Sequence, residues 1–146
     1  MEQTRIYLGA DHAGWELKEA IKEHLATEHY EVVDLGNAHL VPDDDYPDFA
    51  RPTALRAATD AGSKGIVICG SGQGSCMAAN KVAGVRAGIG YTKDAARIMR
   101  EDNDANVLCL AGRVLSKEEA IAIVTMFLQT PFSNAPRHAR RIAKMV

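Results

Sequence analysis

The sequence predicts an α/β fold built on a five-stranded parallel sheet. Five short apolar segments, each closed by a glycine, alternate with segments of helical spacing. This alternation implies right-handed β-α-β crossovers, which join parallel strands. Only 5% of the 146 residues are aromatic although 47% are hydrophobic, so the core must be aliphatic, as in sheets covered by helices.

The five predicted strands lie at residues 6–8, 32–35, 66–69, 85–89 and 107–110. The predicted helices lie at residues 13–27, 48–61, 73–82, 93–101, 116–128 and from 136 to the end. In the first helix Leu17, Ile21 and Leu25 are four apart and share one apolar face. The fifth helix opens with a capping box from Ser116 to Glu119.

Size and charge limit the classes of protein that fit. A chain of 146 residues predicts one domain, residues 1–146, and its 17 basic and 19 acidic residues nearly balance at a net charge of −2. That balance argues against nucleic acid or a membrane surface as partner. No stretch approaches the ~20 apolar residues of a membrane span, and the three cysteines fit neither a disulfide framework nor a zinc site. We expect a soluble cytoplasmic protein.

Polar residues follow three of the predicted strands. Asp11 and His12 follow the first strand, Ser71 follows Cys69 at the end of the third, and Arg113 follows the fifth. Ligands of open parallel sheets bind outside the carboxyl ends of the strands. We therefore expect a carboxylate, an imidazole, a thiol, a hydroxyl and a guanidinium at one edge.

The glycine-rich loop at residues 70–74 leads into a helix. Successive amides at a helix N-terminus form a site for a phosphate or an oxyanion, although such a loop is as often only a tight turn. Ser75 stands where a dinucleotide fingerprint has its third glycine, and the Lys-Ser/Thr of a nucleotide P-loop is missing. The loop therefore does not indicate nucleotide binding.

Several candidate residues have a structural reading beside the functional one. Cys69 is either a buried apolar residue or a thiol beside a helix N-terminus. Asp11 either caps the following helix or contacts a ligand. Arg137 and Arg141 share one helical face that suits a phosphate or simply favours the helix dipole. The polar stretch at residues 37–46 reads as a solvated loop.

Together these motifs resemble the type B ribose-5-phosphate isomerases, a family that also contains galactose-6-phosphate isomerase, and most closely their actinobacterial branch. The matching motifs span the chain in order: GADHAG at residues 9–14, DYP at 45–47, CGSGQG at 69–74, NDANV at 103–107, and Arg113, Arg137 and Arg141. The resemblance implies a Rossmann-like αβα sandwich. It also implies a homodimer, or a dimer of dimers, with shared sites and cofactor-free, metal-free isomerisation of a sugar phosphate through an enediolate.

The resemblance assigns each matching residue a role. Cys69 is the base that moves a proton between C1 and C2, and Ser71 assists proton movement at the oxygens. The amides of Gly70, Gly72, Gln73 and Gly74 form the oxyanion cradle. Asp11, Tyr46 and Asn103 contact substrate hydroxyls, and His12, Arg113, Arg137 and Arg141 contact the phosphate. Asn103 and the last two arginines come from the partner subunit, the arginines on its C-terminal basic helix.

One position departs from the family pattern. Asp102 stands where the family commonly has the histidine that opens the furanose ring. Two substrates follow: ribose 5-phosphate, which the whole-chain resemblance favours, with Asp102 or a water opening the ring, or an open-chain substrate such as D-erythrulose 4-phosphate. A non-catalytic sugar-phosphate sensor is the alternative from another class, and Cys69 beside an intact glycine loop favours the enzyme.

Overall fold

The computed structural model of the protein describes residues 4–145. Its five strands form one all-parallel sheet in the order β2-β1-β3-β5-β4. The strands are β1 Arg5–Ala10, β2 Glu31–Asp34, β3 Lys64–Cys69, β4 Ala87–Ile89 and β5 Val107–Ala111. The predicted fold class is therefore confirmed.

The described residues form six α-helices: α1 Trp15–Thr27, α2 Pro47–Thr59, α3 Gln73–Asn80, α4 Lys93–Glu101, α5 Lys117–Gln129 and α6 Pro136–Ala143. Helices α1 to α4 connect successive strands, and α5 and α6 follow β5. A short 3₁₀ turn, His12–Gly14, precedes α1, where the sequence predicted continuous helix from residue 13. None of the helices within residues 4–145 has the length and apolarity needed to cross a membrane.

Two predicted boundaries shift for local reasons. The sequence predicts that β4 begins at residue 85, but pairing with β5 starts at Ala87. The backbone amide of Arg86 donates instead to the side chain of Asn106. The prediction began α2 at residue 48, but the helix begins at Pro47, whose fixed φ suits a first helical position.

Helices cover both faces of the sheet. One core packs α1, α4 and α5 against side chains such as Ile66 and Ile68, and the other packs α2 and α3 against Val67. Successive strand residues alternate between the two faces, so β3 serves both cores. The second core is rich in alanine, which lets α2 lie close to β1: a Cβ on Gly9 would lie 2.7 Å from the carbonyl oxygen of Phe49.

A buried ion pair joins α1 to the end of β2. The ammonium of Lys18 is fully buried and lies 2.9 Å from both carboxylate oxygens of Asp34. It also donates to the carbonyl oxygen of Asn37 at 2.9 Å. Burial by itself raises the pKa of Asp34, but the bonds from Lys18, from the Gly36 amide and from Lys22 outweigh it and leave that pKa below its usual value.

The side chain of Asn80 pairs with the edge strand β4. Its Nδ2 donates to the carbonyl oxygen of Ala87 at 3.0 Å, and its Oδ1 accepts from the amide of Ala87 at 2.8 Å. The two bonds resemble those that a neighbouring strand would make. Asn80 is the last residue of α3, so the contact also fastens the end of α3 to the sheet.

Lys18 and Lys22 offer a matched test of this ion pair, because both contact Asp34 from α1. We expect Lys18→Met to lower the free energy of unfolding by about 3 kcal/mol, the low end for breaking a buried pair, because Lys22 still faces the carboxylate. The ammonium of Lys22 is half-exposed, so Lys22→Met should cost about 1 kcal/mol or less. Urea denaturation measures both, and equal losses would contradict the assignment.

Candidate active site

Three turns meet at the carboxyl edge of the sheet, as the topology requires. The backbone amide of Asp11 donates to the carbonyl oxygen of Ile68 at 3.2 Å. The backbone amide of Gly112 donates to the carbonyl oxygen of Cys69 at 2.8 Å, and that of Arg113 donates to the carbonyl oxygen of Gly70 at 3.1 Å. The backbones that follow β1 and β5 are therefore hydrogen-bonded to the last residues of β3 and to the loop that follows it.

Two glycines allow this close contact. A Cβ on Gly14 would lie 2.6 Å from Cγ2 of Ile68, and a Cβ on Gly112 would lie 2.9 Å from Cα of Gly14. Real Cβ atoms do not approach other atoms so closely. Any side chain at either position would push the 3₁₀ turn away from the ends of β3 and β5.

Cys69 ends β3 with its side chain almost wholly buried. Its sulfur lies 3.5 Å from the backbone nitrogen of Ser75, which donates to it from the first turn of α3. A helix N-terminus favours negative charge, so a thiolate here would face both a donor and the positive end of a dipole. Ser75 itself is buried, and its hydroxyl donates to the carbonyl oxygen of Gly72.

The loop between β3 and α3 takes a shape that requires glycine. Gly72 has φ +80°, in the left-handed region, and serves as the N-cap residue of α3. The hydroxyl of Ser71 accepts from the amide of Gln73 at 3.2 Å. The ring of Tyr46 lies on Gly74, where a Cβ would be 2.6 Å from its Cζ. The glycine loop and the ring of Tyr46 are therefore in contact.

Asp11 is a cap, which was one of its two predicted roles. Its Oδ1 accepts from the amides of Ala13 at 3.0 Å and Gly14 at 3.2 Å. Burial raises the pKa of Asp11, and the bonds from Gly14, the charge of His12 and the bond from Ala13 oppose that rise. The cap fixes the turn that presents His12, so Asp11 shapes the site whether or not it touches a substrate.

The imidazole of His12 is anchored by Asp44. Its Nδ1 lies 2.9 Å from Oδ1 of Asp44, which also accepts from the backbone amide of His12 at 2.7 Å. Arg113 reaches the same region, since a Cβ on Gly70 would lie 3.2 Å from its Nη1 and 3.6 Å from Cβ of Ala13. An imidazole and a guanidinium thus flank the start of the glycine loop.

Asp11, His12 and Asp44 also place possible metal-ligating atoms within 4.8 Å of one another. Hydrogen bonds within the group and to nearby amides account for this closeness. We therefore assign no metal to it.

A model of the ribose/galactose isomerase family matches residues 6–145, nearly the whole chain. The chain belongs to this family. A ribose-5-phosphate isomerase B of Mycobacterium tuberculosis is 47% identical over 142 residues, which cover 97% of this chain and 88% of that protein. A probable ribose-5-phosphate isomerase B of Mycoplasma pneumoniae is 44% identical over 141 residues, covering 97% and 92%.

Solved structures of other isomerases of this family have the same fold. Ribose-5-phosphate isomerase B of Mycoplasma genitalium, solved with bound ribulose 5-phosphate, has a TM-score of 0.94 at 43% identity and covers 99% of this chain and 95% of its own. The Thermotoga maritima enzyme has a TM-score of 0.93 at 40% identity, with 99% and 98% covered. The resemblance seen in the motifs is thus confirmed at the level of the family.

The remaining predicted residues of this isomerase lie at the opposite edge of the sheet. Asn103 follows α4 and precedes the amino end of β5, where it lines a cavity of about 860 Å³ beside β4. Arg137 and Arg141 are exposed on α6. That helix approaches the end of α4, where Nε2 of His138 lies 3.3 Å from Oδ1 of Asp102. Within one chain, none of these residues belongs to the cluster around Cys69.

The other two cysteines are packed between the sheet and α3. Cys109 is fully buried in β5, and its burial raises the pKa of its thiol well above the usual value. Cys76 is half-buried on α3, and its sulfur lies 3.4 Å from the carbonyl oxygen of Ala87. Cys109 therefore belongs fully to the core, and Cys76 belongs to it in part.

Two polar contacts at these edges were not predicted from the sequence. The sequence predicts a solvated loop around Asp44, yet the side chain of Asp44 is only 11% exposed because it bonds His12. His138 was not singled out as a candidate, yet its side chain is 12% exposed and contacts Asp102. The run of three aspartates gives no sign of which one turns inward, and the second contact joins residues 36 positions apart.

Proposed function

We propose that the chain interconverts ribose 5-phosphate and ribulose 5-phosphate, with Cys69 as the base. The supporting observation is the thiol at the carboxyl end of β3, which accepts a hydrogen bond from the first turn of α3 beneath a glycine-rich loop. Membership of the isomerase family and two relatives named for this activity agree with it.

The reaction moves two protons and leaves the oxidation level of the sugar unchanged. The Cys69 thiolate takes the proton from C2, the electrons of that bond form a C1–C2 double bond, and the π electrons of the C1–O1 carbonyl move onto O1 to give an enediolate. A hydroxyl proton passes from O2 to O1. The thiol then returns its proton to C1 as the C1–C2 double bond opens and the C2–O2 double bond of the ketose forms. Ser71, at the mouth of the loop, is the group we assign to the oxygen-to-oxygen transfer. A positioned base of this kind accelerates proton transfer by about 10²–10⁴-fold.

The glycine loop stabilises the charge that develops on oxygen. The backbone amides of Gly70 to Gly74 gather at the N-terminus of α3, where the helix dipole favours an anion. Fixed donors in a protected site need no reorganisation during the reaction, and loss of one such donor costs about 3–4 kcal/mol in other enzymes. Asp11 and Tyr46 would contact the sugar hydroxyls around this loop.

The phosphate end of the substrate has two candidate partners in the same chain, His12 and Arg113. Both follow strands that end beside Cys69. Holding the remote phosphate aligns C1 and C2 with the base and supplies part of the rate through orientation. Neither role requires a metal or an organic cofactor.

We infer that a second copy of the chain completes the site, in a homodimer or a dimer of dimers. The residues assigned by resemblance to the same substrate, Asn103, Arg137 and Arg141, lie near the amino end of β5. Cys69 lies at the carboxyl end of β3, six strand residues away at about 3.3 Å each. A side chain cannot cover that distance through a packed core. A partner subunit could bring its own α4 and α6 ends to this edge.

The pair formed by Asp102 and His138 favours ribose 5-phosphate over the tetrulose alternative. Opening a furanose ring requires a proton donor for the ring oxygen, and an ionised carboxylate is a poor donor. The imidazole of His138 lies 3.3 Å from the carboxylate of Asp102, the residue that precedes Asn103. An imidazole is therefore present at this end of the chain although residue 102 is aspartate.

Replacement of Cys69 tests the proposed base. In D₂O, Cys69→Ala should reduce exchange of the C2 proton and isomerisation by at least about 10²-fold, the usual contribution of a positioned base, while ribose 5-phosphate still binds. NMR follows the exchange and calorimetry follows binding. Cys76→Ala is the matched control and should stay close to the unmodified protein. Exchange retained by Cys69→Ala would move the base elsewhere, with Asp11 as the next candidate.

A mixed dimer tests whether two chains share one site. One chain carries Cys69→Ala, the other carries Arg137→Ala with Arg141→Ala, and the two are co-expressed with different tags. Each homodimer should be nearly inactive. The purified heterodimer should regain about half of the normal activity, because one of its two symmetric sites joins an intact thiol to intact arginines. An inactive heterodimer would show that each site belongs to a single chain.

Side-by-side kinetics separate the two substrates. D-erythrulose 4-phosphate and its aldose isomer carry phosphate on O4, the hydroxyl that would close a five-membered ring in the aldose, so they need no ring opening. We expect a higher kcat/KM for ribose 5-phosphate, and His138→Ala should lower it for ribose 5-phosphate far more than for the tetrulose. A higher value for D-erythrulose 4-phosphate would overturn the assigned substrate but leave the isomerase chemistry intact.

A further inference from the structure

One aspartate in the segment between β2 and α2 differs from its neighbours. Asp43 and Asp45 are exposed, whereas the side chain of Asp44 turns inward and is only 11% exposed. Turning a carboxylate inward removes it from water, which is unfavourable unless hydrogen bonds replace the lost solvation. The inward orientation therefore depends on the partners that Asp44 finds.

Those partners hold both carboxylate oxygens. Oδ1 of Asp44 accepts from the backbone amide of His12 at 2.7 Å and lies 2.9 Å from its Nδ1. Oδ2 accepts from Nδ2 of Asn37 at 3.1 Å. The carbonyl oxygen of Asn37 in turn accepts from the buried ammonium of Lys18 at 2.9 Å and from the indole of Trp15 at 3.0 Å. The carboxylate is thus fixed in place from the side of α1.

The contact determines which nitrogen of His12 faces a ligand. Because Nδ1 faces Asp44, Nε2 is the ring nitrogen left to contact a ligand, and the side chain is 29% exposed. A carboxylate on one ring nitrogen fixes the orientation of the imidazole and favours its protonated form. The bond to Asp44 accordingly raises the pKa of His12, against a smaller opposing effect of burial.

We propose that Asp44 is a positioning residue that holds His12 as an oriented imidazolium for the phosphate of the substrate. This role rests on the proposed function, in which His12 and Arg113 receive the phosphate. The charges that face the imidazole are the carboxylates of Asp44 and Asp11 and the guanidinium of Arg113. Asp44 offsets the repulsion that Arg113 exerts on a protonated His12, so both cations remain available to one phosphate.

Asp44→Asn tests the proposal because it keeps the shape of the side chain and removes its charge. We expect KM for ribose 5-phosphate to rise about tenfold with kcat little changed, the effect of losing one hydrogen bond to a charged group. The pKa of His12 should fall, so that KM begins to rise at a lower pH than in the unmodified protein. The phosphate's own titration is common to both proteins and cancels in the comparison.

Asp43→Asn is the matched control, since it makes the same change of charge at an exposed neighbour. Its KM and its pH profile should follow those of the unmodified protein. A double variant adds a second check: if Asp44 acts through His12, Asp44→Asn should have little further effect on KM in a His12→Asn background. Equal effects of Asp44→Asn and Asp43→Asn, or additive effects of Asp44→Asn and His12→Asn, would overturn the proposal.

NMR titration of His12 in the substrate-free protein separates this proposal from the proposed function. In the unmodified chain His12 should titrate above the ordinary value of histidine, and addition of inorganic phosphate should shift its ring signals. Titration at or below the ordinary value would overturn the positioning role even if isomerase activity is present. Absence of isomerase activity with the raised titration intact would instead count against the proposed function alone.

Discussion

The site depends on close backbone contact between the three turns that follow β1, β3 and β5. The turn after β1 lies directly on the ends of β3 and β5, and this is possible because residues 14 and 112 have no side chains. Without that contact, the turn carrying Asp11 and His12 would be displaced outward from Cys69 and Arg113. The electrostatic features of the site therefore depend on this steric constraint at the sheet edge.

The charged groups of the site are linked to the stability of the fold. The buried ammonium of Lys18 is needed to close the end of β2 on α1, but it also holds the carbonyl of Asn37, whose side chain holds Asp44. The same series of bonds ends at the imidazole of His12. A segment that looks like a polar surface loop is thus tied to the core at one end and to the site at the other.

Periodicity and topology account for what the sequence predicted. Alternating apolar segments indicate five strands, and the rule that ligands bind at the carboxyl ends of strands predicts that Cys69 and Arg113 lie at one edge. Contacts between side chains far apart in the sequence could not be predicted in this way. Asp44 and His12 are 32 positions apart, and nothing in a run of three aspartates indicates which one turns inward. The pairing of Asp102 with His138 likewise depends on where α6 packs after the last strand.

The amide of Asn80 bears on how the molecule behaves at high concentration. An exposed edge strand offers unpaired backbone groups to other chains and can seed extended intermolecular sheets. Here β4 is three residues long, and the outward N–H and C=O of Ala87 are already occupied by one side chain. The opposite edge, β2, is only four residues long. Both edges are poor templates for aggregation, so a short strand and one asparagine protect an otherwise open sheet.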